Sequence, residues 1–375
     1  MTCRSEILLT LAIIAPPGTG KRTLLLRIFN DLKNYHSDKL GFCLDNKDDV
    51  WHLSRDNMNS CGDRCSSWDY IKACRIGIND VGRRNRHIFS YAHARSDPPA
   101  VVSIIVNSRD GKQLLMIKIL IASVDEKFEQ SKYASVLKKV FPYCAALVVP
   151  VNSIVLAAKR GWLRDDSVLN AMLNVDAVIS WISEWNLMRV GVNRRKPIFL
   201  VPVKCESLYH ATGSIPLLKD DARNVFLRRI SKSMSSCPVN GHDRGILDDN
   251  DVECFIYPVQ TLRCYRIQDG ELLKRNDGWQ ESYSVGGVYV RDCEDVYEER
   301  SDVFVRYALR LTFGELENEL GKICNLYKFI PPPPIIVKRV RFIIERIIEI
   351  EKSFLLNADF GLVQEGLHSA RGEMH

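Results

Sequence analysis

Residues 15–23 read Ala-Pro-Pro-Gly-Thr-Gly-Lys-Arg-Thr and directly follow an apolar run from Ile7 to Ile14. A buried strand, a glycine-rich turn and a helix in this order aim successive backbone N–H groups and a helix N-terminus at one point, which favours a phosphate group. The lysine of such a loop reaches the β- and γ-phosphates of a nucleotide. The stretch therefore predicts a phosphate-binding loop that consists of Pro17, Gly18, Thr19, Gly20, Lys21, Arg22 and Thr23.

The residues after the loop predict a helix from Thr23 to about Tyr35, because their apolar positions recur with helical spacing. A plain Pro-Gly turn between a strand and a helix is the alternative interpretation of this segment. A secretory signal built on Arg4 and the apolar run is rejected, because Pro-Pro-Gly ends the run and no small-residue cleavage site follows.

Two positions of the loop depart from the common pattern. Ala15 stands at the first glycine position, and Arg22 occupies the position of a Ser or Thr whose hydroxyl ligates Mg²⁺. The pattern therefore supports nucleotide binding better than hydrolysis.

Composition limits the classes of function. The 375 residues are 46% hydrophobic, enough for one large elaborated domain or two. The net charge of +6 is spread among interspersed acidic and basic residues, which argues against a nucleic-acid partner. No apolar run reaches the roughly 18 residues that a transmembrane segment needs. We expect a cytoplasmic protein.

The twelve cysteines are scattered along the chain, and several lie in apolar runs, so we expect buried thiols. Cys61, Cys65, Cys74 and His52 form the one cluster that resembles a zinc site, but a second clean cysteine pair is missing. No metal ligand set is predicted.

Strand-like and helical stretches alternate through the first two thirds of the chain, which predicts an α/β fold with a mostly parallel sheet. Asp110-Gly111 between two apolar runs predicts one antiparallel hairpin, of Ala100–Asn107 with Gln113–Ala122. Further buried strands are predicted at 145–151, 197–203 and 253–259, and further helices at 131–140, 176–188 and 220–233.

Three regions are predicted. Residues 1–262 form the α/β domain with an insertion at 36–99, residues 263–300 form a polar, hairpin-like excursion, and residues 301–375 form a helical extension. In the extension, Pro331–Pro334 is a stiff spacer between two helices. The second helix, Ile335 to Leu356, combines apolar with charged residues. Packing on the core or on a partner helix is favoured over a membrane surface, because three glutamates would be repelled by anionic lipid.

The order of a phosphate loop, a long insertion, an antiparallel hairpin and three more strands, over residues 7–262, resembles a TRAFAC-class P-loop GTPase domain. Within that class it is most similar to the bacterial double-GTPase-like group. The resemblance implies a three-layer P-loop NTPase fold, a Walker A loop at Lys21, and GTP or GDP as the ligand with Mg²⁺.

The family's Asp-x-x-Gly motif corresponds to Ala122–Asp125. Ala122 replaces the aspartate that holds Mg²⁺ through water, and Asp125 replaces the glycine that meets the γ-phosphate. Glu126 and Phe128 match the residues that often follow. The standard metal ligands are thus absent, and Glu126 is the one candidate for a catalytic base; a carboxylate that stabilises a helix N-terminus is the alternative.

The family's base-specificity motif, Asn/Thr-Lys-x-Asp, corresponds to Val203–Glu206. The resemblance implies that the stem of Lys204 stacks on the purine and that Glu206 accepts hydrogen bonds from guanine. An ordinary pair of charges at a strand end is the alternative. The choice between guanine and adenine, and hence between GTP and ATP, stays open.

Three functions follow as hypotheses. The first is a GTP-binding switch or scaffold with slow or impaired hydrolysis and a protein effector. The second is an active Mg²⁺-dependent ATPase or nucleotide kinase whose metal ligands come from Asp45, Asp48 or Asp49. The third is an interaction protein with a relic phosphate loop, in which the proline spacer and the last helix carry the function.

Overall fold

A computed structural model describes residues 7–44, 67, 70–72, 74, 87–88, 99–124, 140–156, 173–187, 196–205, 225, 252–261, 265–277, 280–291, 300–327 and 331–356. Two predicted helices, at 131–140 and 220–233, lie outside these residues except at positions 140 and 225. The division of the chain at residues 262 and 300 stays a prediction.

Strands within the described ranges form two sheets. In chain order they are β1 Ile7–Ala15, β2 Leu40–Leu44, β3 His87–Ile88, β4 Ala100–Ser108, β5 Gln113–Ser123, β6 Ala146–Asn152, β7 Lys196–Val203, β8 Val252–Ile256, β9 Tyr265–Asp277 and β10 Gln280–Arg291. The main sheet has seven strands in the order β2-β4-β5-β1-β6-β7-β8. A smaller sheet of three strands has the order β3-β10-β9.

The main sheet is parallel from β5 to β8 and antiparallel from β2 to β5. Its central strand, β1, is almost entirely apolar, as a strand with neighbours on both edges and helices on both faces requires. The predicted hairpin of β4 and β5 is confirmed, and Gly111 in its turn has a φ of +81°. The predicted α/β class, with a mostly parallel sheet and an antiparallel hairpin, is confirmed.

β2 was not predicted, because it lies inside the segment that we interpreted as an insertion. Its five residues are too few to show the alternation typical of a strand, and two of them, Gly41 and Cys43, carry little β signal. Pairing with β4, from Leu40 opposite Ser108 to Leu44 opposite Ile104, holds it in the sheet. Residues 40–44 therefore form a strand because of their tertiary contact with β4 rather than because of their local sequence.

Helices cover both faces of the main sheet. The helices are α1 Lys21–His36, α2 Ser153–Leu156, α3 Val175–Leu187, α4 Val303–Leu326 and α5 Pro334–Phe354. Leu9, Leu11 and Ile13 of β1 share one buried cluster with residues of α1, α4 and α5. On the other face, Val178 of α3 lies beside Val149 and Val151 of β6. No helix in the described ranges is both long and apolar enough to cross a membrane.

The helical C-terminal extension is confirmed, with one change at its proline spacer. Pro334 belongs to α5 as its first residue, so the extended segment ends at Pro333 rather than at Pro334. The first helical turn accepts proline because its N–H has no partner within the helix. α5 ends at Phe354 and is capped by Leu355, which has a left-handed φ of 53°.

A buried polar cluster joins the end of α1 to the start of α4. Asp302 accepts hydrogen bonds from Arg300 Nε at 3.0 Å and Arg300 Nη2 at 2.7 Å, and its carboxylate lies 2.8 Å from His36 Nε2. Burial opposes ionisation of Asp302, but the bonds from His36 and Arg300 outweigh it and lower the pKa of this carboxyl.

Asp31 makes a second connection in the same cluster, because its carboxylate accepts hydrogen bonds from the backbone N–H and the hydroxyl of Ser301, at 2.9 and 2.7 Å. Burial raises the pKa of Asp31, against the lowering effect of Arg27 and Ser301. Arg306, one turn further along α4, donates to the carbonyls of Phe354 and Leu355 at 2.8 and 2.7 Å. The three helices α1, α4 and α5 are thereby joined through one short segment.

We expect Asp302→Asn to lower the free energy of unfolding at pH 7 by about 2 kcal/mol, the usual cost of losing hydrogen bonds between charged partners. Because the pKa of folded Asp302 lies below its ordinary value of 3.8, its ionised form stabilises the fold above that pH. The difference between wild type and variant should therefore shrink as the pH falls through and below that value. Urea denaturation at a series of pH values measures this difference in the free energy of unfolding.

Glu319→Gln is the matched control, because the ion pair of Glu319 with Lys322 is exposed and contributes little. A constant difference between wild type and Asp302→Asn from pH 7 to pH 3 would contradict the role assigned to the carboxylate.

Candidate functional site

The candidate phosphate loop connects β1 to α1 through a tight turn. Gly18 has a φ of +74° and Gly20 a φ of +108°, a backbone conformation that favours glycine at both positions. The Thr19 hydroxyl donates to the Pro16 carbonyl at 2.9 Å and closes the turn. The backbone thus requires the two glycines that the sequence supplies, and α1 begins immediately afterwards at Lys21.

Lys21 places a buried cation at the start of α1. Its side chain is only 6% exposed, and its ammonium donates to the carbonyls of Ala15 at 3.0 Å and Pro16 at 2.7 Å. The first turn of α1 contains no acidic residue. Positive charge at a helix N-terminus is unfavourable, because the helix dipole already carries a partial positive charge there. The arrangement is suited to an anion.

Lys204, the predicted base-binding lysine, lies against the loop. It follows β7 with a left-handed φ of 63°, is 8% exposed, and donates to the Gly18 carbonyl at 3.1 Å. A Cβ atom added to Gly20 would lie 3.7 Å from Lys204 Cε, so the lysine stem runs beside the loop. Of the other predicted site residues, Glu206 and Glu126 lie outside the described residues.

Arg22, at the position of the usual metal-binding hydroxyl, has an exposed side chain held by a tyrosine of the insertion. Arg22 Nε donates to the Tyr70 hydroxyl at 3.3 Å, and its guanidinium carbon lies 5.5 Å from the centre of the Tyr70 ring. The distance to the ring is within the range of a cation–π contact. No local sequence pattern indicates this pair, because 48 residues separate its members.

Ser123, the last residue of β5, is a site residue that sequence reasoning missed. It pairs with Ala15, the first residue of the loop, and the next N–H, of Val124, donates to the Ala15 carbonyl at 3.0 Å. Ser123 is 2% exposed, and among the described residues its hydroxyl has no hydrogen-bond partner. A buried hydroxyl without a partner costs stability unless a ligand or water satisfies it.

The strand alternation places Ser123 on the face of α1. Ser123 is in phase with Ile117, Ile119 and Ile121, which share a buried cluster with α1, whereas Ala122 points to the opposite face. A group that serves a cation at the start of α1 must lie on the α1 face. The motif alignment puts this position at Ala122, whereas the pairing with β1 puts Ser123 rather than Ala122 opposite Ala15 on the α1 face.

Among the described residues, the donors near the start of α1 do not fit Mg²⁺, which prefers carboxylate, hydroxyl and water oxygens. A guanidinium stands at the direct ligand position and a neutral serine on the adjacent strand end. Within the described ranges, no group of three or more His, Cys, Asp or Glu residues could hold a metal ion. Of the four residues considered above as a zinc site, Cys74 is buried, and the other three lie outside the described residues.

No protein-family model and no curated protein matches the chain. Solved structures that match include the Ski7 GTPase-like domain of S. cerevisiae bound to GDP and inorganic phosphate, at 12% identity and a TM-score of 0.30. The same domain bound to GTP matches at 10% identity and a TM-score of 0.30. Each match covers 68% of this chain but only 44% and 43% of the solved chain. A likeness this low carries no functional argument, so the function depends on the loop's own geometry.

Gly20→Ala should lower the free energy of unfolding by about 1–2 kcal/mol, because an L residue is strained at a φ of +108°. Gly321→Ala is the matched control. Gly321 lies in α4, and a Cβ there meets nothing within 4 Å, so alanine should stabilise the chain by about 0.5–1 kcal/mol. Thermal or urea denaturation measures the change in the free energy of unfolding, which should have opposite signs in the two variants. Equal changes in both would contradict the left-handed backbone assigned to Gly20.

Proposed function

We propose that this protein is GTPase-like: it binds a guanine nucleotide, GTP or GDP, through residues 17–23 and hydrolyses GTP slowly or not at all. The observation that carries the proposal is the buried ammonium of Lys21 at the N-terminus of α1, beside the left-handed glycines Gly18 and Gly20. This arrangement is suited to the phosphates of a nucleotide.

The energetics of the loop support a bound anion. The buried Lys21 ammonium donates to two backbone carbonyls of the loop. A β- or γ-phosphate in contact with this ammonium would supply an opposite charge and would also interact favourably with the dipole of α1. Lys21 would then exchange its bonds to the loop carbonyls for bonds to phosphate oxygens.

The sheet order supports one orientation of the bound nucleotide across the carboxyl ends of the strands. β7, which is followed by Lys204, lies on one side of β1, and β5, which ends at Ser123, lies on the other. We place the purine on the side of Lys204 and Glu206 and the terminal phosphate on the side of Ser123. The contact of Lys204 with Gly18 brings its stem to the edge of the loop, where a purine linked to the phosphates would lie.

Slow hydrolysis follows from the two substituted positions. Phosphoryl transfer depends on positioning and on charge neutralisation by metal ions that bridge the β- and γ-phosphates. Arg22 and Ser123 stand where the common pattern has a hydroxyl and a carboxylate that hold the metal. Positioning of Mg²⁺ is thereby lost, whereas the groups that bind phosphates are retained.

A switch or scaffold role is supported by the connection of α1 to the C-terminal helices. The phosphate loop is at one end of α1, and Asp31 and His36 near the other end contact Ser301 and Asp302. A shift of α1 upon nucleotide binding would therefore change the packing of α4 and α5. As the partner we propose a protein effector that binds these helices.

Isothermal titration calorimetry with GTP, GDP and ATP tests the proposal. Wild type should bind GTP and GDP, and Lys21→Ala should weaken binding by at least about a hundredfold, which corresponds to the loss of roughly 3 kcal/mol from charged hydrogen bonds. Lys33→Ala, on the same helix but exposed and near a phenylalanine ring, is the control and should bind as wild type does.

Two results would contradict the proposal. If the folded wild type binds none of the three nucleotides, the result would favour the hypothesis of an interaction protein with a relic phosphate loop. Ordinary Mg²⁺-dependent hydrolysis would instead favour metal ligands from the insertion, for which Asp45, Asp48 and Asp49 remain the candidates.

Glu206→Ala tests the base preference. A carboxylate accepts hydrogen bonds from the guanine N1–H and exocyclic amine, whereas adenine offers no such pair. The variant should therefore reduce the preference for GTP over ATP by about tenfold or more, on the scale of one to two charged hydrogen bonds. Competition titrations measure the ratio, with Glu319→Ala as the exposed control; an unchanged ratio would remove Glu206 from the base site.

A further inference from the structure

We propose that this site binds its nucleotide without a divalent cation, because Arg22 supplies the positive charge that Mg²⁺ supplies in the common pattern. The inference rests on the proposed function, since it concerns the same loop and the same phosphates. Three observations carry it: the donor set at the metal position, the anchoring of Arg22 by Tyr70, and the location of Ser123 on the face of α1.

The donor set argues against a bound Mg²⁺. Mg²⁺ binds oxygen ligands in a strict octahedral arrangement, and proteins usually supply one or two carboxylates together with substrate phosphates. Here the direct position belongs to a guanidinium, which has no acceptor atom. Ser123 offers one neutral hydroxyl. A divalent cation would therefore face a positive side chain where the common pattern provides ligands.

The charges of the two arrangements nonetheless agree. In the common pattern, the two positive charges of Mg²⁺ less the one negative charge of the aspartate leave one positive charge beside the phosphates. Arg22 with a neutral Ser123 also provides one positive charge. Counted over these two positions alone, the loss of the aspartate matches the loss of the metal and leaves the same net charge beside the phosphates.

Arg22 is anchored on the side of the loop where the terminal phosphate is proposed to lie. Ser67, three residues before Tyr70, accepts a hydrogen bond from the backbone N–H of Ser103 in β4 at 3.0 Å. Pairing of Ala100 with Ile121 brings the start of β4 to the end of β5, which is Ser123. Tyr70 itself belongs to the buried cluster on the α1 face. Tyr70, Arg22 and Ser123 therefore lie at one edge and on one face of the sheet.

Tyr70 restricts the conformations of an otherwise exposed arginine. The hydrogen bond to its hydroxyl and the contact with its ring hold the guanidinium before any ligand arrives, so less side-chain entropy is lost upon binding. A guanidinium also binds phosphate oxygens through two parallel N–H donors, which an ammonium cannot do. Tyr70 is thus a positioning residue in this arrangement.

Calorimetric titration of GTP and GDP into the full chain, in excess EDTA and in excess Mg²⁺, tests the inference. Wild type should bind with dissociation constants that agree within about twofold in the two buffers. Arg22→Ala should weaken binding in EDTA by about tenfold or more, the effect of one charge-assisted contact. Arg22→Ser restores the hydroxyl of the common pattern. This variant should therefore bind nucleotide more tightly in excess Mg²⁺ than in excess EDTA.

Arg339→Ala, an exposed arginine of α5, is the control and should follow wild type in both buffers. The inference is overturned if Mg²⁺ strengthens wild-type binding about tenfold or more, or if Arg22→Ala equals wild type in EDTA. Absence of binding by folded wild type in both buffers would instead refute the proposed function. The two failures are therefore distinguishable.

Discussion

The parallel pairing of β1 with β5 and β6 is the constraint on which the site depends. It brings the carboxyl ends of neighbouring strands to one edge, so that Ala15 lies opposite Ser123 and the loop begins between them. The same edge continues to β7, where Asn152 pairs with Val203 and Lys204 follows. Residues that are almost 190 positions apart in the chain meet at the loop for this reason. The apolar character of β1 secures the arrangement, because its residues 11–15 are buried between strands on both edges and helices on both faces.

Much of this arrangement could be predicted from local sequence. The loop, α1 and the hairpin of β4 and β5 follow from signals within short stretches, namely glycines, helical spacing and Asp110-Gly111. Ser123 could not be found in this way, because its role depends on strand register rather than on a motif. The contact of Arg22 with Tyr70 and that of His36 with Asp302 join distant segments, and no local pattern encodes such pairs. The functional residues that were missed are those that tertiary structure brings together.

α1 links two places that hold buried polar groups. Its N-terminus carries the buried Lys21, and its last turns carry Asp31 and His36, which contact the segment before α4. A helix transmits a displacement along its axis with little loss, because its backbone hydrogen bonds resist bending. The buried cluster at Asp302 has specific hydrogen-bond geometry and so responds to small shifts more sharply than an apolar contact does. Packing of α5 through Arg306 depends on the same segment.

The chemistry of Arg22 explains how the proposed site would bind a nucleotide without hydrolysing it. A guanidinium beside the phosphates lowers the energy of the bound ground state through charge neutralisation. Catalysis requires a group whose interaction strengthens as charge moves toward the leaving oxygen, and a metal that bridges the β- and γ-phosphates does this. Arg22 is instead held by Tyr70 on the surface of α1. Equal stabilisation of the ground state and the transition state tightens binding but leaves the rate of hydrolysis unchanged. In the proposed site, retained binding and impaired hydrolysis therefore follow from the two substituted positions, Arg22 and Ser123.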